Sequence, residues 1–229
     1  MRALVSEYEE RPVAGLACAW RRSSPVPTTG RVVPDGCTDL MWSSSGELFV
    51  AGPDTTAHLT TMHPGTLYGV RFAPGVGPSV LGVPAHALRD LRVPLTDLWG
   101  QSSALEDALH TADDPCAVLA QAALTRLRTT PPDPLAQAVA HAVPSSTVAN
   151  LAADLGLSTR HLHRRSLDAF GYGPKVLHRV LRFDRAVKLA WTGVPFADIA
   201  YRTGYADQAH LSREVKELAG VSLGQLIRP

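Results

Sequence analysis

The stretch GYADQAHLSREVKELAG, residues 204–220, decides how the second half of this chain is read. It opens on Gly204 and an aromatic residue, reaches Asp207, a residue type that caps helices, and runs on at helical spacing to Gly220. Leu211 anchors its apolar side, while Gln208, Ala209, His210, Arg213 and Lys216 form a more polar one. Just before it, Phe196, Ile199 and Ala200 make the stripe of a shorter helix. A short helix, a turn containing glycine and a second capped helix is the helix-turn-helix arrangement.

The arrangement occurs twice. In TVANLAADLGLSTRHLHRRSLDAFGYGPKVL, residues 147–177, the stripe is Val148, Leu151 and Ala152. Gly156 supplies the turn, Ser158 the cap and Leu162 the inward anchor. The two motifs, 147–169 and 195–218, are joined by the amphipathic PKVLHRVLRFDRAVKLAW, residues 174–191. At about 1.5 Å per residue that helix spans roughly 27 Å. The distance approaches the roughly 34 Å between successive major-groove faces of a duplex. After Pro134 the periodicity predicts helices over 134–142, 147–155, 158–169, 174–191, 195–203, 207–218 and 222–227.

These residues carry a family resemblance. ADIAYRTGYADQAHLSREVKELAGVSLGQL, residues 197–226, resembles the second-motif signature of the AraC/XylS transcription regulators. LGLSTRHLHRR (155–165) and GYGPKVLHRVLRFDRA (171–186) resemble that family's first motif and linker helix. Ser166 and Val215 depart from it, standing where the family often carries a bulky aromatic. The resemblance implies double-stranded promoter DNA as partner, and RNA polymerase as a second partner if the protein activates. It implies no cofactor. On the first reading helix it points to Thr159, Arg160, His163 and Arg164, with Arg165 on phosphate. On the second it points to Gln208, Ala209, His210 and Arg213, with Lys216 on phosphate. Arginine matches the O6/N7 edge of guanine, glutamine matches adenine, and alanine suits a thymine methyl group. Arg182, Arg185 and Lys188 read as a solvated face of the joining helix, Asp207 as a cap, and Leu162 and Leu211 as core.

Ahead of TTPPDP, residues 129–134, the composition changes. RVVPDGCTDLMW (31–42), GELFVAG (46–52) and GTLYGVRFAPG (65–75) read as short strands separated by turns. In the last, Tyr68, Val70 and Phe72 alternate with Gly69 and Arg71, the period of a half-buried strand. The segments 95–112 and 114–128 read as helices. The expected architecture is α+β. Residues 1–100 form a small β-rich, cupin-like barrel for sensing or dimerisation, 101–133 a helical connector, and 134–229 an all-α DNA-binding domain. VVPDGCTDLMW, GVRFAPGVGPSVLGVPAHAL and LRVPLTDLWG also resemble sensor-like domains that precede such DNA-binding domains.

A barrel interior is a usual place for a ligand. Depending on which strand face turns inward, Cys37, Asp39 and Met41, or Thr38, Leu40 and Trp42, would line it. Trp20 and Tyr68 would give aromatic walls for a small apolar or aromatic effector. Asp39 is the better clue, because a buried carboxylate needs a donor or a cationic ligand group. His58 and His63 with Cys37 make a poor metal set, since residues five apart on a strand face opposite sides. A redox role for Cys37 is opposed by Asp39, whose charge would raise the thiol pKa.

Charge and composition set the remaining bounds. Residues 1–130 carry ten basic and thirteen acidic side chains, and residues 131–229 carry twelve and eight, a basic second part in a chain of net charge +1. Three cysteines without a CxxC pair suit a reducing compartment, and the polar start MRALVSEYEERP reads against a secretory signal. The expectation is a cytoplasmic regulator, a possible homodimer, with no metal and no membrane. An enzyme, or thiol or metal chemistry in the first domain, is the competing class. No Ser/His/Asp set, carboxylate pair or phosphate loop favours it.

Overall fold

The computed structural model describes residues 7–143 and 146–228. The described N-terminal residues form eight strands, seven in succession and the last after a first helix: β1 (Glu7–Arg11), β2 (Cys18–Ser24), β3 (Thr28–Val32), β4 (Thr38–Ser43), β5 (Leu48–Ala51), β6 (His58–Met62), β7 (Gly65–Phe72) and β8 (Arg92–Pro94). Six of them form an antiparallel sheet in the order β1-β2-β7-β4-β5-β8, and β3 pairs only with β6 as a separate ribbon. The cupin-like barrel expected from the sequence is therefore not closed. β1 and β8 are the two edges of the sheet. Pro25 and Pro27 before β3, and Pro34 after it, lack the N–H that would carry the chain along the ladder. Every residue of the charged β1 is exposed, a composition that discourages further strand pairing at that edge.

The two faces of the sheet differ. Ala19, Leu40, Trp42, Val50, Val70 and Phe72 turn one way and pack in a single core with three helices. These are α1 (Gly77–Leu81), α3 (Ser103–Thr111) and α4 (Pro115–Thr129); the short α2 (Thr96–Trp99) lies between α1 and α3 in the chain. The segment read as a connector is thus largely a lid on the sheet, through Leu109, Leu119 and Ala123. The other face carries Cys18, Trp20, Met41 and Ala51. Trp20 lies across Gly69 of the neighbouring strand, where an added Cβ would come within 2.3 Å of the indole. Only glycine permits that approach.

The second half is helical: α5 (Pro134–Ala142), α6 (Val148–Asp154), α7 (Thr159–Phe170), α8 (Pro174–Trp191), α9 (Phe196–Arg202), α10 (Gln208–Ala219) and α11 (Leu223–Leu226). The caps are local chemistry. Side chains of Asp133, Thr147, Ser158, Asp207 and Ser222 each accept a backbone N–H of the helix they open. Such a cap is worth roughly 1 kcal/mol. The joining helix α8 serves two cores at once. Leu177 and Val180 pack with Leu151, Leu162 and Phe170 under the first motif. One turn further on, Phe183, Ala186 and Val187 pack with Ile199, Leu211 and Val215 under the second.

The two halves touch extensively. Gly171, at φ +82°, sits so close to Pro53 that an added Cβ would lie 2.8 Å away. Val33, just after β3, packs against the core of the second motif. Ser166, at the position where the family often has an aromatic, is 1% exposed and its Oγ has no hydrogen-bond partner. An unpaired hydroxyl in an apolar site costs about 1–3 kcal/mol. Ser166→Ala is therefore expected to raise stability by about 1 kcal/mol in urea denaturation; a loss of 1 kcal/mol or more would show that the hydroxyl is paired.

Candidate nucleic-acid interface and cavity

The helices α7 and α10 are the second helices of the two motifs, and each is buried along one side. Leu162, Ser166 and Phe170 point inward from α7, and Leu211, Glu214, Val215, Leu218 and Ala219 from α10. On their outer sides Thr159, Arg160, His163 and Arg164, and Gln208, Ala209, Arg213 and Lys216, are exposed. Arg160, Arg164, Arg213 and Lys216 make no ion pair or side-chain hydrogen bond among the described residues. Five guanidinium N–H groups per arginine are left to solvent or a ligand.

Neighbouring charges behave differently. Arg165 is ion-paired with Asp133, the cap of α5, and so ties α7 to that helix. Arg182 had been expected on a solvated face. It instead donates bonds of 2.7 and 2.8 Å to the buried Glu214 and stacks 4.2 Å from the ring centroid of Tyr205. Arg179 reaches Glu217 at 2.7 Å. Lys188 meets Asp184 at 2.6 Å, whereas Arg185 is exposed. His210 is only half exposed. Its Nδ1 accepts from the Ala206 N–H at 3.3 Å, its ring stands edge-on to Tyr205, and Nε2 lies 3.5 Å from Glu214. His163 remains exposed with its ring against Gly173.

The C-termini of both helices end on the N-terminal half. A helix leaves its last carbonyls without intrahelical donors. The Arg89 guanidinium donates to the Gly171 carbonyl at 3.2 Å, just past the end of α7. The Ala57 N–H donates to the Leu218 carbonyl at 2.7 Å, and Arg31 Nη1 to the Ala219 carbonyl at 2.8 Å. Arg31 and Ala57 flank Val32 and His58, which pair across the β3–β6 ribbon.

That ribbon covers the second face of the large sheet, and a cavity of about 220 Å³ lies between them. Trp20, Asp39, Met41, Phe49 and Arg71 come from the sheet, and Val32, His58 and Thr60 from the ribbon. Of the sequence candidates, the structure brings Trp20, Asp39 and Met41 together here. Thr38 and Leu40 fall on the opposite face of β4, as does Trp42, which stands edge-on to His110. Tyr68 also packs with the helix-side core. Cys37 lies before β4, its N–H bonded to Asp35 Oδ1 at 2.8 Å, and burial beside Asp35 and Asp39 pushes its thiol pKa well up. His58 lines this cavity, while His63 lies beside an adjoining one. Among the described residues no group of three or more His, Cys, Asp or Glu could hold a metal ion, and no helix is long and apolar enough to cross a membrane.

The donors that Asp39 needs come from the protein itself: Trp20 Nε1 at 2.7 Å and Arg71 Nε at 3.1 Å. Arg71 is further held by Glu10 at 3.5 Å and Asp35 at 3.7 Å. No local pattern signals this pairing, because Asp39 and Arg71 meet only through the register of β4 on β7.

Two helix-turn-helix units on one shared helix, attached to a β domain, define a DNA-binding regulator fold. Comparison with known proteins agrees. Residues 151–228 match the family model described as a helix-turn-helix domain, and residues 14–94 match a domain of unknown function, DUF6597. The C-terminal part of the chain is the helix-turn-helix domain of AraC-type regulators. None of the curated proteins matches the chain. Among solved structures, ToxT from Vibrio cholerae is similar over 96% of this chain and 97% of its own, with a TM-score of 0.53 and 11% identity. ToxT bound to (E)-4-(8-methylnaphthalen-1-yl)but-3-enoic acid gives 0.51 and 11% over 96% and 98%. The C-terminal domain of AraT, a response regulator from Geobacillus stearothermophilus, is 25% identical over 42% of this chain and 85% of its own, with a TM-score of 0.39.

Burial pushes the Asp39 carboxyl up to about 6, against the opposing pull of Arg71. A raised carboxyl binds its proton in the folded chain where the unfolded chain has lost it. The contribution of Asp39 to stability is thus complete below the unfolded value of 3.8 and falls as pH rises to about 6. Carbon-detected NMR titration of the Asp39 carboxyl should find its midpoint near pH 6; a midpoint below 3.8 would show that the Arg71 pair outweighs burial.

Proposed function

We propose that this protein is a one-component transcription regulator whose α7 and α10 enter successive major grooves of one duplex. The unpaired state of Arg160, Arg164, Arg213 and Lys216 carries this reading, set against the paired Arg165, Arg179 and Arg182 beside them. Cations on an apolar-backed helix with no intramolecular partner are suited to base edges and phosphates. Arg160, Arg164 and Arg213 read guanine, Gln208 adenine and Ala209 a thymine methyl. Thr159, His163 and Lys216 contact the backbone. Arg165 and His210, engaged within the fold, hold the reading helices in place.

In the same reading, the cavity under the β3–β6 ribbon takes a small apolar or aromatic effector through Trp20, Asp39 and Met41. The ribbon, rather than the helical connector alone, relays occupancy to the DNA-binding half. A ligand that displaces Val32 or His58 displaces the Arg31 and Ala57 bonds to the end of α10. The domain boundaries near 100 and 134 follow the same logic, with 101–133 linking the two halves. A homodimer and contact with RNA polymerase accord with such a regulator.

The test is a salt series on promoter and random duplexes. Binding should weaken steeply with salt on both, with a specific-to-random ratio of roughly 10³ or more. Arg213→Ala should cost about 1–3 kcal/mol on the promoter and little on random sequence. An equal loss on both would make Arg213 a phosphate contact; binding without salt dependence would end the DNA-binding reading.

A further inference from the structure

The free cations of the second half do not all lie on α7 and α10. Lys175, at the second position of α8, is exposed and has no ion pair or hydrogen bond among the described residues. It lines a cleft of about 550 Å³ that opens between the two motifs. Thr147 and Val148 of the first motif, His178 of α8, and Thr203 and Gly204 in the turn of the second motif line it with Lys175. Two contacts put this cleft beside the outer sides of α7 and α10. The His163 ring, on the outer side of α7, rests against Gly173, where an added Cβ would lie 2.6 Å from Nε2. The Gly204 carbonyl accepts from Arg182 at 3.4 Å, and Gly204 leads into Asp207, the cap of α10.

The charges around the cleft leave Lys175 over. Arg179 also lines it, but reaches Glu217 at 2.7 Å and stands 3.8 Å from Glu214, which Arg182 holds at 2.7 Å. These two guanidiniums and two carboxylates cancel. Asp198 and Asp207 flank the Thr203–Gly204 turn in the chain, and the exposed, unpaired Arg202 and Arg213 offset them. Among the described residues no carboxylate lines the cleft itself. In the reading above, α7 and α10 occupy successive major grooves on one face of a duplex. The stretch between those grooves, about five base pairs, then turns its minor groove and bordering phosphates towards the gap between the motifs.

We infer that Lys175 is a third point of attachment, its ammonium meeting one backbone phosphate of that intervening stretch at the mouth of the cleft. The contact fixes the register of the two motifs on the duplex and reads no base. A lysine ammonium is a compact charge with three rotatable donors, suited to a phosphate oxygen rather than to the forked edge of a base. The minor groove beside it distinguishes little beyond A·T from G·C, so a contact there positions rather than specifies. This inference rests on the DNA-binding reading above and adds to it one residue and one phosphate.

The probe is a duplex selected from a random library by the full chain, with single uncharged methylphosphonates placed in turn across its central stretch. At one central position the neutral linkage should weaken wild-type binding about threefold to tenfold. Lys175→Gln, already weaker by a similar factor, should be insensitive at that position. The same variant should lower the salt slope by about one on the selected duplex and on random sequence alike, leaving their affinity ratio unchanged. Lys175→Arg, which keeps the charge, should keep both the slope and the sensitivity. Arg185→Gln removes an exposed, unpaired cation of the same helix that does not line the cleft, and should change neither. Circular dichroism checks that each variant is folded. No sensitive central position in wild type, one that stays sensitive in Lys175→Gln, or an unchanged slope in that variant would each overturn the contact. An equal loss of slope in Arg185→Gln would do so too, since general charge would then explain it. In all four cases salt-dependent binding of the wild type still stands, and the DNA-binding reading with it. Salt-independent binding, or none, ends that reading and takes this contact with it.

Discussion

The second helices of both motifs, α7 and α10, end on hydrogen-bond donors that belong to the other half of the chain, and the arrangement of the molecule follows from that constraint. An α-helix cannot satisfy its own last carbonyls. At the end of α10 the Leu218 and Ala219 carbonyls are met by Ala57 and Arg31, and beyond α7 the Gly171 carbonyl is met by Arg89. The side of each helix that docks is thereby fixed to the N-terminal half as well as to its own motif. The outer side is left free. Because Arg31 and Ala57 sit next to the ribbon residues that line the cavity, the cavity and α10 share one element.

Charge is handled on the same plan. Three of the more deeply placed arginines are matched: Arg182 with Glu214, Arg92 with Asp54, Arg71 with Asp39. A charge taken from water without a partner costs several kcal/mol, so these pairs hold the shape of the fold rather than adding much net stability. Glu214 shows how one carboxylate supports α10 from beneath, receiving Arg182 from α8 and standing close to His210 of its own helix. The net basic charge of the second half matters less than where its unmatched arginines lie.

What the sequence made legible was local. Caps, glycine turns and 3.6-residue stripes are written within a few positions of each other, and the helices from Pro134–Ala142 to Leu223–Leu226 fall within a few residues of those expected. The alternation in β7 likewise placed Val70 and Phe72 on the buried face. Sheet topology was not legible, since whether β3 and β6 join the sheet depends on partners far apart in the chain; the prolines around β3 were the available signal. Site electrostatics were missed for the same reason. Asp39 meets Arg71 across 32 positions and Arg182 meets Glu214 across 32, so Asp39 read as a ligand group and Arg182 as a surface charge.

In the proposed regulator α8 sets the second helices of both motifs against neighbouring grooves of one duplex. Hydroxyl-radical footprinting of the full chain on its promoter tests it most directly. Two protected patches on one face of the DNA, centred about 10–10.5 base pairs apart, are expected from a single bound chain. A single protected patch, or two patches on opposite faces, would contradict it.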